Sequence, residues 1–197
     1  MTLVFSDHKL AYIAVPKTAT VSVEKAFGGY AHGYSPDAPL EVLHMNLQQV
    51  TERYGEMTTV AVVREPFEWL SSFHRYMGGP HHRGTPWDMS HMTFERFAQK
   101  YMKGQILWPE PFRRQSDYVT NRKTGAVVDR LYSYSGIQDL VTYLGSALSI
   151  EAQLGVHNKS PEGPSVLSDK TAASLRDYMD EDFKLILLKR YRRFCRS

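Results

Sequence analysis

The chain has 197 residues, of which 42% are hydrophobic and 23% are charged, and these proportions are typical of one folded domain rather than of a disordered or fibrous chain. No stretch approaches the roughly 18 consecutive apolar residues of a membrane span. The formal net charge is +3, and five of the 24 Lys and Arg residues lie in the last nine positions. The body of the chain is therefore close to neutral, which disfavours a nucleic-acid partner.

The single cysteine, Cys195, excludes an intrachain disulfide and a cysteine-based zinc site. The N-terminus lacks the basic and apolar regions of a signal peptide, so we expect a cytoplasmic protein. A chain from which a Golgi-type anchor has been removed is the alternative.

The predicted elements alternate between strands and helices. Strands are predicted at residues 10–15, 58–63 and 126–132, where apolar and β-branched residues cluster. Helices are predicted at residues 21–27, 47–54, 66–77, 94–102 and 168–179, with a further helix opened by Ser135 and ending near residue 147. Residues 30–39, 78–92 and 155–164 are predicted loops, and residues 183–188 form a last apolar segment. This order predicts a single α/β domain over residues 1–197 with a mostly parallel sheet.

The turn between the first strand and the first helix has the composition of an anion-binding loop. It has the sequence P-K-T-A-T-V-S over residues 16–22, so a lysine and three hydroxyls surround the positive end of a helix. The loop contains no glycine, which excludes a Walker A motif and disfavours hydrolysis of a magnesium nucleotide. An ordinary β–α turn with an exposed lysine is the alternative.

A second candidate site follows the second strand. Arg64 ends that strand at the carboxyl edge of the sheet, where open α/β sheets bind ligands, and a guanidinium can hold a phosphate with two donors. Ser72 follows eight residues later, about two turns into a helix that begins at Pro66. The alternative is an arginine paired with Glu65 or with another nearby carboxylate.

Both segments resemble the sulfotransferases that use 3′-phosphoadenosine 5′-phosphosulfate (PAPS). Residues 16–22 are similar to the family's P-K-T-[AG]-[ST]-x-S loop. Residues 62–72 are similar to its V-V-R-[DE]-P-x-x-R-x-x-S segment, with Trp69 in place of the frequent second arginine. The resemblance implies a P-loop NTPase-like three-layer fold, with a central mostly parallel sheet flanked by helices.

The resemblance also assigns residues to the two ends of the donor. The 5′-phosphosulfate would be held by Pro16, Lys17, Thr18, Ala19, Thr20, Val21 and Ser22. Lys17 would also be catalytic, because the matching lysine of the family lies near the oxygen that bridges phosphate and sulfate. Arg64 and Ser72 would bind the 3′-phosphate. Residues 157–160 resemble a loop that flanks the donor in relatives, which gives Lys159 and Ser160 as further phosphate contacts.

His44 is the predicted general base, since a side chain that titrates near neutrality suits removal of a hydroxyl proton. Residues 44–50 are similar to the H-x-x-x-x-x-[VIF] segment that carries the catalytic histidine in carbohydrate 2-O-sulfotransferases. This likeness implies a carbohydrate hydroxyl as the acceptor. Glu24 is a weaker candidate, because relatives with a glutamate base carry it near the first helix. A histidine that only orients a loop is the other alternative.

Four further residues are predicted to contact the acceptor. His81 and His82 lie in a predicted loop, where functional groups concentrate, and their spacing to Asp88 and His91 fits no standard metal site. Arg113 and Arg114 begin a segment similar to the family's R-x-Q-x-x-Y region, and they can contact an anionic acceptor.

The sequence thus predicts an enzyme that transfers a sulfuryl group from PAPS to a hydroxyl by in-line displacement, without a metal, and releases 3′-phosphoadenosine 5′-phosphate (PAP). Two other classes stay open. A P-loop kinase would transfer phosphate and would require magnesium ATP. A non-catalytic module would bind PAPS or PAP without turnover.

Overall fold

A computed structural model describes residues 1–32, 43–155 and 166–194, which form an α/β fold with a four-stranded mixed sheet. The strands are β1 (Leu3–Phe5), β2 (Leu10–Ile13), β3 (Thr58–Val63) and β4 (Arg130–Ser133), and they lie side by side in that order. β1 is antiparallel to β2, whereas β2, β3 and β4 are parallel, with Ile13 opposite Ala61 and Ala61 opposite Leu131. The parallel strands therefore all end at the same edge of the sheet.

Helices connect the strands and cover the sheet. They are α1 (Thr20–Phe27), α2 (Leu47–Tyr54), α3 (Pro66–Met77), α4 (Phe94–Met102), α5 (Gln115–Val119), α6 (Ile137–Leu148), α7 (Asp169–Tyr178) and α8 (Asp180–Phe194). No helix within the described residues is long and apolar enough to cross a membrane.

The two faces of the sheet bury alternate residues of each strand, as the period of two requires. On one face, Tyr12, Val60 and Val62 pack with side chains of α1 and α6. On the other, Ile13 and Ala61 pack with side chains of α2, α5 and α8. Because both faces are covered, β3 is a nearly continuous run of buried apolar residues.

A third cluster fixes α3, the helix that follows Arg64. Trp69 and Phe73 of α3 are fully buried against Phe97 of α4 and Leu175 of α7. Side chains cap two helix starts in this region. Thr93 accepts a hydrogen bond from the Arg96 backbone N–H, and the Glu65 carboxylate accepts one from the Glu68 N–H.

Most predicted elements are confirmed, with ends that differ by a few residues. The first strand stops at Ile13, and the second strand spans the predicted residues. The predicted helix at residues 47–54 begins with a capping box of Asn46 and Gln49, in which each side chain accepts a hydrogen bond from the other residue's backbone N–H. The last apolar segment is part of α8.

Two predictions at strand β4 and helix α6 are wrong. The strand begins at Arg130 rather than at residue 126, because Val127 first pairs with Thr120 in an isolated antiparallel bridge. Ser135 does not cap α6, since a short 3₁₀ turn intervenes and Ser133 accepts the hydrogen bond from the Gly136 N–H instead. The sequence interpretation also missed β1 and α5, which are only three and five residues long.

Candidate functional site

The loop between β2 and α1 has an unusual backbone. Lys17 and Ala19 both have φ of 64°, in the left-handed region, while Thr18 between them does not. Each such non-glycine residue costs about 1–2 kcal/mol, so the surrounding structure must hold the loop in place. Successive N–H groups in alternating right- and left-handed conformations form a concave anion site. α1 begins directly after Ala19, and the N-terminus of a helix also favours an anion.

Two hydrogen bonds hold this loop. The Thr18 hydroxyl, which is fully buried, donates to the Val15 carbonyl at 2.7 Å. The Trp69 indole N–H, also fully buried, donates to the Pro16 carbonyl at 2.8 Å. Trp69 therefore ties the loop to α3, the helix that carries Ser72 of the second motif.

Replacing Ala19 with glycine should stabilise the protein by about 0.5–1 kcal/mol, because glycine adopts positive φ without the steric cost that alanine bears. The same substitution at Ala173, an exposed position in the middle of α7, should instead destabilise it by about 0.5–1 kcal/mol. Urea unfolding of the two variants measures both changes. A loss of stability in Ala19→Gly would contradict the assigned backbone conformation.

Lys17 extends from the loop into a partly buried, positively charged region. Its ammonium lies 4.0 Å from the centre of the Tyr76 ring. Burial lowers the pKa of Lys17 to about 8; the Glu110 carboxylate opposes this shift, and the charges of Arg64 and Arg75 add to it. Lys17 therefore stays mainly protonated at neutral pH, but it loses its proton far more easily than an ordinary lysine.

Arg64 leaves the sheet where β3 ends, as predicted. The Gln115 side chain fixes its backbone, accepting from the Arg64 N–H at 2.8 Å and donating to the Arg64 carbonyl at 2.9 Å. The guanidinium lies 4.5 Å from the centre of the Tyr134 ring, and its Nε donates to Glu68 at 3.3 Å. Glu65 caps α3, and the nearby carboxylate that pairs with Arg64, as the alternative interpretation expected, is Glu68. The Glu68 carboxylate is 62% exposed, so this ion pair is weak and an anion can replace it.

Arg75, which the sequence interpretation missed, completes a cation cluster of Lys17, Arg64 and Arg75. It lies on α3 one turn beyond Ser71, whose hydroxyl accepts a hydrogen bond from its guanidinium. Burial lowers the pKa of Arg75, and the charge of Arg64 lowers it further. Ser72, also on α3, is buried. The charges of Arg64 and Arg75 act against the Lys17 ammonium, and such a concentration of positive charge is suited to a multiply charged anion.

His44 is linked to this cluster through Glu110, a carboxylate that interacts with Lys17 and that the sequence interpretation missed. Its Nδ1 is 3.3 Å from the Ala14 carbonyl, and its Nε2 is 3.8 Å from Oε2 of Glu110. Burial lowers the pKa of His44 to about 4, with a further contribution from the Met1 α-amino group. That α-amino group pairs with Glu24 at 3.2 Å. Glu24, the weaker candidate for the base, is thus engaged elsewhere.

The four predicted acceptor contacts fall into two places. His82 packs edge-on against Tyr76, with ring centres 4.6 Å apart, so the turn that carries His81 and His82 adjoins the ring that Lys17 contacts. Arg113 donates to the Ile106 carbonyl at 2.7 Å, and Arg114 lies 3.8 Å from Glu181. These two arginines line an open cleft of about 510 Å³. Pro111, the residue after Glu110, also lines this cleft.

The other predictions about the site concern two further phosphate contacts and a possible metal site. Lys159 and Ser160 lie outside the residues that the structure describes. Within residues 1–32, 43–155 and 166–194, no group of three or more His, Cys, Asp or Glu side chains is arranged to hold a metal ion. Asp88 instead accepts hydrogen bonds from the backbone N–H groups of Gly84 and Ser90 within its own loop.

The missed residues differ in how well the sequence could have indicated them. Arg75 lies three residues after Ser72, the spacing that places two side chains on neighbouring positions of one helix face. Glu110 lies in an irregular segment with no periodic pattern, and only the fold brings it to His44. Comparison of the chain with models of protein families, with curated proteins and with solved structures found no match in any of the three.

Proposed function

We propose that this protein is a PAPS-dependent sulfotransferase with a P-loop NTPase-like arrangement of its sheet and helices. The observation that carries the proposal is the convergence of Lys17, Arg64 and Arg75 at the carboxyl edge of β2 and β3, next to a loop with anion-binding backbone geometry. A donor with phosphate groups at both ends of a nucleoside needs such a spread of positive charge. This chemistry agrees with the two motifs that resemble the sulfotransferase family.

The donor is a substrate that is consumed in each turnover, and its two ends require different contacts. Residues 16–22 would surround the 5′-phosphosulfate with backbone N–H groups and hydroxyls. Arg64 and Ser72 would bind the 3′-phosphate, and Arg75 adds charge between the two ends. Lys159 and Ser160 keep their predicted role as further phosphate contacts.

Sulfuryl transfer would proceed by in-line displacement. The oxygen of an acceptor hydroxyl attacks the sulfur while the bond between the sulfur and the bridging oxygen breaks. The bridging oxygen keeps the electron pair and leaves as part of PAP, and Lys17 stabilises the negative charge that develops on it. The hydroxyl proton passes to the pair formed by His44 and Glu110, and the products are a sulfate ester and PAP.

The acceptor is proposed to be a carbohydrate. Tyr76 and Trp87 are about two-fifths exposed beside the turn that carries His82, and partly exposed aromatic rings can pack against the apolar face of a sugar. Arg113 and Arg114 would contact anionic groups of the acceptor in the cleft that they line.

Thermal unfolding with PAP, adenosine 5′-phosphosulfate, AMP and magnesium ATP, each at matched excess, tests the donor assignment. A ligand at about 100 times its dissociation constant adds about 2.7 kcal/mol of stability. For a chain of this size the expected rise in the unfolding temperature is about 5–10 °C. We expect PAP to give the largest rise and AMP the smallest.

Stabilisation by magnesium ATP but not by PAP would contradict the proposal and would favour the kinase. Strong stabilisation by PAP without release of PAP from PAPS, under any acceptor condition, would identify the non-catalytic module instead.

A further inference from the structure

The Glu110 carboxylate is buried at the proposed reaction site with an unused oxygen. Its side chain is 13% exposed, and Oε2 has no hydrogen-bond partner among the described residues. Glu110 lies between Pro109 and Pro111, whose rings restrict the backbone on both sides of it. A stiff segment thus presents a buried carboxylate that the fold itself does not use.

Several elements place charged and titratable groups around this carboxylate. The cations are Lys17 from the loop before α1 and the α-amino group of Met1, and both favour its ionised form. The uncharged neighbours are His44, Tyr76 of α3 and Tyr118 of α5. Burial raises the pKa of both tyrosines, and the negative charge of Glu110 raises it further. Glu24 of α1 faces the α-amino group. Glu110 therefore contacts the predicted base and interacts electrostatically with the predicted catalytic lysine.

The tautomer of His44 follows from its contacts. The Ala14 carbonyl can only accept, so Nδ1 carries the proton and donates to it at 3.3 Å. Nε2 is then a hydrogen-bond acceptor, and it faces Oε2 of Glu110 at 3.8 Å. An ionised Glu110 offers this nitrogen no donor, whereas a protonated Glu110 does. The contact with His44 therefore favours the protonated form of Glu110 over the ionised form.

We infer that Glu110 takes the proton from the acceptor hydroxyl and that His44 is a positioning residue whose Nε2 receives a hydrogen bond from the carboxylic acid formed. This inference rests on the proposed function. The hydroxyl O–H bond breaks as the oxygen–sulfur bond forms, and the proton moves to Oε2 of Glu110. After PAP and the sulfate ester leave, Glu110 returns the proton to solvent.

The titration of the two groups agrees with this division of roles. Burial raises the pKa of Glu110 to about 7, against the opposing charges of Lys17 and the α-amino group. His44, with its pKa lowered to about 4, is uncharged at neutral pH but has little affinity for a proton. An ionised Glu110 is required for proton uptake, so activity should rise with pH through about 7.

Release of PAP from PAPS, with water as the acceptor, tests the inference across pH 4–9. Glu110→Gln should lower the rate by about 10²–10⁴-fold at pH 7.5. Its PAP dissociation constant should stay within about threefold or fall, because an anion near Lys17 is removed. His44→Asn keeps a donor for Ala14 and should lower the rate about tenfold, with the acidic limb shifted to lower pH. Glu56→Gln, the same change at an exposed site, should leave the rate unaltered.

A carbon-13 NMR titration of the glutamate carboxyls adds a readout that a structural role would not change. One resonance should titrate near pH 7 in the native protein and disappear in Glu110→Gln. An unchanged rate in Glu110→Gln, or an acidic limb near pH 4 that only His44→Asn removes, would overturn the inference. A native protein that does not bind PAP or does not release it from PAPS would instead contradict the proposed function.

Discussion

Replacing Lys17 with methionine is expected to lower the turnover of PAPS by about 10²–10³-fold, the usual effect of removing one group that stabilises a developing negative charge. The ammonium is partly buried, so under the proposed function its interaction with the leaving oxygen would be stronger than in water. The binding of PAP, which lacks the sulfate, should weaken by less than about tenfold. Initial rates and calorimetric titrations measure the two effects separately.

Lys9→Met is a matched control for this substitution. Lys9 also has positive φ, at 45°, but it is exposed and lies in the turn before β2, outside the site. The control should leave turnover unchanged. The unfolding temperature of Lys17→Met should not fall, because the substitution removes a desolvated charge that Arg64 and Arg75 repel. Equal losses of PAP binding and turnover would show that Lys17 acts in binding alone.

The native protein should also lose activity at high pH. The pKa of Lys17 is lowered to about 8, so the required ammonium is present below that pH and is lost above it. A bound anionic donor favours the charged form and raises this pKa. The alkaline limb should therefore lie near pH 8 in kcat/KM, which reports the free enzyme, and higher in kcat.

The elements that the sequence predicted well carry strong local signals. The strand β3 is a β-branched apolar run, and the start of α2 has a complete capping box at Asn46 and Gln49. Strand β4 has no such run: all four of its residues are partly exposed, and Val127 pairs outside the sheet. The capping pattern at Ser135 failed because a nearby serine, Ser133, satisfies the same backbone group.

In the candidate site, too, local sequence patterns predicted some residues, whereas contacts between segments distant in the sequence were not predicted. Lys17 and Arg64 follow strands, and their position in the sequence is enough to place them at one edge of the sheet. The contact between His44 and Glu110 joins two irregular segments that no periodicity relates. The same is true of Gln115, whose side chain fixes the backbone of Arg64. Such contacts depend on tertiary packing, which a local pattern does not encode.

Replacing Arg64 with alanine is expected to weaken the binding of PAP by about 10²-fold. A guanidinium that holds a phosphate with two charge-assisted hydrogen bonds contributes about 3 kcal/mol, which corresponds to that factor. Adenosine 5′-phosphosulfate has no 3′-phosphate, so its affinity should change by less than about threefold. Arg53→Ala, at an exposed position of α2, should alter neither affinity.

Replacing Glu68, the ion-pair partner of Arg64, is expected to change the affinity for PAP in the opposite direction. Nε of Arg64 donates to the largely exposed Glu68 carboxylate, which competes with a phosphate for the guanidinium. Glu68→Gln should therefore strengthen PAP binding by about two- to fivefold, in keeping with the 0.2–1 kcal/mol of an exposed ion pair. The binding of adenosine 5′-phosphosulfate should again stay nearly constant. Calorimetric titration of Arg64→Ala and Glu68→Gln with both ligands measures these changes in affinity. If only the affinity for PAP changes, Arg64 binds the 3′-phosphate. Equal changes for the two ligands would assign Arg64 to another part of the donor.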